Sequence, residues 1–167
     1  LLNPDGTISF SSVYTVGDFW YGKNGIDTKK RLLKNTTGFT AEFLNKKLRI
    51  KGDVTFRNNN NNTEQKRVQV PYSTKPGVVA YVGTANNDLA FDQRETQYLA
   101  TNLYSEYENT FKGAHYLKVL VGYNYEQSTF NRLATQRNGI IYEDATDINL
   151  TLGQLIITGG GYEKWAI

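Results

Sequence analysis

Cysteine and methionine are both missing from this 167-residue chain, and histidine occurs once. The first absence excludes a disulfide framework and any thiolate metal site. The second leads to the expectation that the chain is a segment or processed product of a longer protein. The lone histidine, His115, has no second imidazole or thiol to complete a metal or catalytic centre, so it reads as a turn residue. Long apolar runs are also lacking: the longest, Val78-Val79-Ala80-Tyr81-Val82, is far short of the roughly 20 residues of a membrane-spanning helix. Asn3-Pro4-Asp5-Gly6 puts a turn signal where a signal peptide needs its apolar stretch. The 19 basic and 16 acidic side chains give a net charge of +3, but they are interleaved and form no basic patch, which argues against nucleic acid as a partner.

What is present is β-forming. Aromatic residues make up 13% of the chain, with 12 Tyr and 8 Phe, and 15 Gly stand against 3 Pro, a profile that favours strands. The hydrophobic period is 2, not 3.6. Leu48, Ile50, Gly52, Val54 and Phe56 share one face while Arg49, Lys51, Asp53, Thr55 and Arg57 share the other. Before them, Leu33, Asn35, Thr37, Phe39, Ala41 and Phe43 alternate with more polar neighbours, and Leu44-Asn45-Lys46-Lys47 forms the turn. Together these runs predict a hairpin with strands over 33–43 and 48–57. A second hairpin of the same design follows, with strands over 98–111 and 116–126 joined by Lys112-Gly113-Ala114. A further strand is expected to start at 162–167, and long loops are expected over 1–30, 58–94 and 127–161.

Strands of about 10 to 13 residues span roughly 25 to 33 Å when tilted about 40°, a length that matches a bilayer better than an ordinary globular sheet. Alternation, short turns at one end, long loops at the other, and aromatic residues near the strand ends are the pattern of a transmembrane β-barrel. The expected fold class is therefore all-β, with long antiparallel hairpins forming part of such a barrel in a single segment, residues 1–167. The alternative is a soluble secreted β-sandwich that binds glycans, since aromatic-rich alternation describes that architecture too.

The residues carry a resemblance as well. Tyr104-Ser105-Glu106-Tyr107-Glu108-Asn109-Thr110-Phe111, the short turn, Leu120-Val121-Gly122-Tyr123-Asn124-Tyr125-Glu126, and the Gly-rich approach to Trp165 resemble barrel strands of the SusC/RagA-type TonB-dependent outer-membrane transporters of Bacteroides-like bacteria. The likeness is specific in the last third and loose elsewhere. It implies a 22-stranded barrel of which this chain is one piece, lacking the family's plug and TonB-contacting segment. It also implies a bacterial outer-membrane location and nutrient import of oligosaccharide or peptide. The implied partners are a SusD-type surface lipoprotein, TonB through parts of the parent chain, and membrane lipid.

No enzyme, cofactor or metal site is expected. Glu106 and Glu108 raise a paired-carboxylate reading, but charges facing a watery lumen account for them. Glu143-Asp144, Asp147 and Asn149 lack the EF-hand spacing. Gly159-Gly160-Gly161 lacks the Lys-Ser/Thr continuation of a phosphate loop and reads as a flexible strand entry. Asn35, Asn61 and Asn149 open glycosylation-type triplets that carry no meaning in a bacterial outer membrane. The candidate ligand or partner contacts are the loop aromatics Trp20, Tyr21, Tyr72, Tyr81 and Phe91, residue types that stack on sugars or peptides.

Overall fold

The fold is seen in a computed structural model that describes residues 2–83 and 87–167. Two short helices, α1 (Phe10–Val13) and α2 (Gly17–Tyr21), precede seven strands: β1 (Gly25–Phe43), β2 (Leu48–Arg67), β3 (Val70–Lys75), β4 (Val78–Val82), β5 (Asp88–Phe111), β6 (His115–Asn138) and β7 (Leu155–Ala166). Five long strands form one open sheet in the order β1-β2-β5-β6-β7, while β3 and β4 pair separately. The sheet is thus an antiparallel meander with a small hairpin inserted between β2 and β5.

The strands are longer than the alternation predicts. Residues 58–67 continue β2 instead of opening a loop, and the Asn run lies wholly within that strand. β1 starts at Gly25, β5 at Asp88, and β6 runs on to Asn138. Gly159-Gly160-Gly161 lies inside β7, not in a flexible entry. His115 is the first residue of β6, adjoining the turn. The reason is physical: alternation records which solvent each face meets, whereas a ladder needs only paired backbone N–H and C=O groups. Where both faces are polar the ladder continues and the alternation stops.

Both predicted short turns are present and left-handed. Lys47 N–H donates to Leu44 O, and Ala114 N–H to Phe111 O, each at 3.2 Å. The central residues have positive φ, 55° and 70° at Asn45 and Lys46, and 50° and 70° at Lys112 and Gly113. These are the primed turns whose twist suits a two-strand hairpin.

The chain divides into two compact units. The first comprises Lys30–Asn61, Arg94–Arg132 and Gly161–Ile167. It holds both short turns and the alternating portions of β1, β2, β5 and β6. Among its described residues only Ala100 is a buried hydrophobic. Most of its apolar side chains share one exposed face, with Phe39, Phe43, Val54, Phe56, Leu103, Phe111, Val119, Val121 and Tyr123 all solvent-accessible, while Leu32 and Leu120 are exposed on the other. Phe39 lies over Gly52, where an added Cβ would meet its ring at 2.6 Å and Leu103 at 3.3 Å, so a glycine lets an aromatic ring from β1 cover β2. Thr37 donates to Asn35 at 3.0 Å, and these two polar residues on the apolar side of β1 thereby satisfy one another.

The second unit comprises Leu1–Lys29, Asn62–Gln93 and Leu133–Gly160. Unlike the first it has a core: Ile8, Val13 and Val70 are buried together, with Tyr21, Tyr72 and Val82 packed against them. Pro71 pairs with Tyr81 and Tyr72 with Ala80 in the β3–β4 hairpin, which carries a bulge between Ser73 and Lys75. Asn24 ties α2 to the end of β2, its side-chain amide donating to Val68 O at 3.1 Å and accepting from Val68 N–H.

Candidate functional site

In the first unit, the face opposite the apolar one is a ladder of polar contacts. Arg49 Nε donates to Glu42 Oε1 at 3.1 Å, and its Nη1 lies 3.9 Å from Glu106, which also pairs with Lys118 Nζ at 3.0 Å. One layer along, Asn124 donates to Asn102 at 2.6 Å and Asn102 to Asp53 at 2.8 Å. Thr36 and Thr55 hydroxyls lie 2.9 Å apart, and the Arg57 guanidinium sits 5.0 Å from the Tyr98 ring centroid. Glu108 accepts from the Tyr116 hydroxyl at 3.1 Å. Glu106 and Glu108 are each engaged by a different cross-strand partner, an arrangement suited to a hydrated wall.

The five aromatics expected in loops lie instead in elements of the second unit, Trp20 and Tyr21 in α2, Tyr72 in β3, Tyr81 in β4 and Phe91 in β5, and in different settings. Tyr72 supports the core and lies 5.7 Å, centroid to centroid, from Phe10. Trp20 is exposed on α2 beside Phe19, which is 88% exposed. Phe91 lines a cavity of about 340 Å³ with Gln93, Leu133, Thr135, Asp147 and Ile148. Tyr81 lines a smaller recess, about 140 Å³, with Gln69, Ile141, Tyr142 and Glu143, and Tyr21 reaches Glu143 beside it. Partial burial first, and donation to Glu143 second, push the Tyr21 hydroxyl up to about 12.

Local structure explains this convergence. Tyr21 ends α2, where Gly22 at φ 69° reverses the chain. Tyr142 and Glu143 lie in the connection after β6, which Asn87 anchors by accepting from Gly139 N–H on its carbonyl at 2.8 Å and from Ile140 N–H on its side chain at 2.9 Å. Ile141 N–H donates to Leu150 O at 3.0 Å. Tyr142 and Glu143 were missed as site residues by the sequence reading; the apolar run Ile140-Ile141-Tyr142 inside a polar stretch is the signal that marks them.

The acidic residues of this connection do separate tasks. Asp147 accepts from Asn149 N–H at 2.8 Å and starts the short 3-10 helix Ile148–Leu150, and Asp144 pairs with Lys23. No group of three metal-ligating side chains occurs among the described residues.

The Lys23–Asp144 pair has a defined pH window. Lys23 holds the Asp144 carboxyl below its ordinary 3.8, so that part of the contact is present above the ordinary value and is lost as pH falls through the lowered one. Asp144 raises Lys23 above its ordinary 10.5, so that part is present below 10.5 and is lost as pH rises through the raised value. Amide protection factors at residues 142–145, with the intrinsic pH dependence of exchange divided out, are expected to stay high between about pH 5 and 10 and to fall outside that window, and Lys23→Gln should abolish the acidic limb. Unchanged protection at pH 3 would show that the pair does not hold this connection.

Comparison with protein-family models, with curated proteins and with solved structures returns no match.

Proposed function

We propose that this chain is a section of the wall of a transmembrane β-barrel, in a SusC/RagA-type TonB-dependent importer of the bacterial outer membrane. The observation that carries the reading is an exposed apolar band of limited height on one face of the first unit, opposite the ion-paired polar ladder. On β2 the band runs from Leu48 to Phe56 and is followed on the same face by Asn58 and Asn60. On β5 it runs from Phe111 to Leu99 and is followed by Gln97 and Glu95, where Asn58 donates to Glu95 at 3.1 Å. On β6 it runs from Leu117 to Tyr125 and is followed by Gln127, and on β1 from Phe43 to Leu33, followed by Arg31.

Each band starts near a short turn and extends roughly 26 to 40 Å along its strand, or about 20 to 30 Å normal to a membrane at a 40° tilt. A barrel's lipid-facing zone is about 25 Å tall. A β-sandwich needs a second layer over this face, whereas Val54, Phe56 and Val121 are open to solvent. The strands continue well beyond the band: β5 and β6 have 24 residues each, roughly 80 Å of extended chain. On this reading that excess projects outside the cell.

The transporter type rests on the strand motifs around Tyr104–Phe111 and Leu120–Glu126. It brings with it TonB, a SusD-type lipoprotein and an oligosaccharide or peptide as cargo. Fractionation of cells making the native full-length protein is the test. Recovery in the outer membrane, with release only by detergent, is expected; recovery in the aqueous fraction overturns the membrane reading.

A further inference from the structure

We infer that the recess lined by Tyr81, Tyr142 and Glu143 binds a side-chain-sized organic cation, a primary ammonium of the lysine type. Four observations converge. The recess holds about 140 Å³, below the roughly 300 to 1,000 Å³ of pockets for whole drug-sized ligands, so it accepts one headgroup with a few methylenes. Tyr81 and Tyr142 line it, and tyrosine rings attract cations through their quadrupoles.

Glu143 also lines it and accepts a hydrogen bond from Tyr21. A carboxylate accepts several hydrogen bonds, so that bond leaves room for a further donor. Lys23, which also feels the Glu143 charge, has its ammonium engaged by Asp144. Finally, the apolar Ile141 adds a wall suited to methylenes. A charge-assisted hydrogen bond and cation–π attraction in a half-enclosed site are together enough to distinguish a cation from its neutral isostere.

The test is calorimetric titration of the native full-length protein in detergent at low salt. The probes are Nα-acetyl-lysine methylamide, its neutral Nε-acetylated counterpart, butylammonium, and the tripeptide Ala-Lys-Ala capped at both ends. The lysine probe is expected to bind at least on the order of ten-fold more tightly than the acetylated one. Glu143→Gln should lose that preference. Amide protection at residues 142–145 should be unchanged in Glu143→Gln, which keeps an acceptor for Tyr21, so a lost preference there reports the carboxylate and not an unfolded recess.

Tighter binding of the tripeptide than of butylammonium supports the site with a peptide as the source of the ammonium, and equal binding supports it with a free amine. Equal affinity for the charged and neutral lysine probes, absence of binding by both, or an unchanged preference in Glu143→Gln overturns the assignment. None of these outcomes depends on membrane insertion, so this inference and the transporter reading can fail separately.

Discussion

Replacing Arg67 with leucine is expected to destabilise the second unit by about 3 to 5 kcal/mol, the range for stranding one member of a buried pair. Arg67 Nε donates to Asp88 Oδ1 at 3.0 Å and Nη2 to Oδ2 at 3.0 Å, and Gln136 adds a third donor at 2.9 Å. The partners are unequal: the Asp88 side chain is 2% exposed and that of Arg67 is 42% exposed. Losing the arginine leaves a nearly dry carboxylate with one amide for company. Losing the aspartate leaves a guanidinium that reaches water. Asp88→Asn, which also keeps an acceptor oxygen, should therefore cost less, about 1 to 3 kcal/mol. Hydrogen exchange of β2 and β5 amides around these residues in the native protein reads both effects. Equal costs, or a larger cost for Asp88→Asn, would show that the pair is not organised by this difference in burial.

A second large effect separates membrane from water on adjacent residues. Val121 and Leu120 are almost equally exposed, 62% and 64%, yet lie on opposite faces of β6. Val121 belongs to the apolar band, and Leu120 shares the face of Lys118 and Asn124. In water alone, arginine at either exposed position should change stability by no more than about 0.5 kcal/mol. In a barrel wall Val121→Arg should cost about 2 to 4 kcal/mol near mid-bilayer, while Leu120→Arg, facing the lumen, stays near zero. Reversible unfolding of the full-length protein from lipid vesicles measures the difference. Identical behaviour of the two variants would remove the physical basis for assigning the faces to lipid and lumen.

The first unit was legible because its side chains meet two different solvents. Leu48 to Arg57 alternate without exception, and the cross-strand contacts Arg49–Glu42 and Asp53–Asn102 lie on the face that alternation assigns to water. The extensions of β2, β5 and β6 were not legible, because Asn58–Asn62 or Gln127–Asn131 offer no contrast between faces, and backbone pairing leaves no mark in hydropathy. The short β3 and β4 were hidden for another reason: Val70-Pro71-Tyr72 and Val78-Val79-Ala80 are too brief to show a period.

Among the loop aromatics, composition identified stacking side chains but not their company. Tyr81 and Tyr142 line one recess, with Tyr21 reaching its Glu143, where Asn24 and Asn87 tie distant backbone segments together. Bonds between a side-chain amide and a far backbone group cannot be read from spacing. Tyr72 shows the converse, since the same residue type at a similar kind of position serves the core.

The placement of the asparagine tract within β2 bears on how the gene can change. Side chains in a strand point alternately to its two faces, so adding or removing one asparagine turns every residue beyond the tract to the opposite side. Arg67 would then face away from Asp88. Adding or removing two keeps every facing but slides Arg67 roughly 6.6 Å along β5, out of reach of Asp88. The pair thus fixes the length of the tract against both steps, a single one by turning the side chain away and a double one by displacing it.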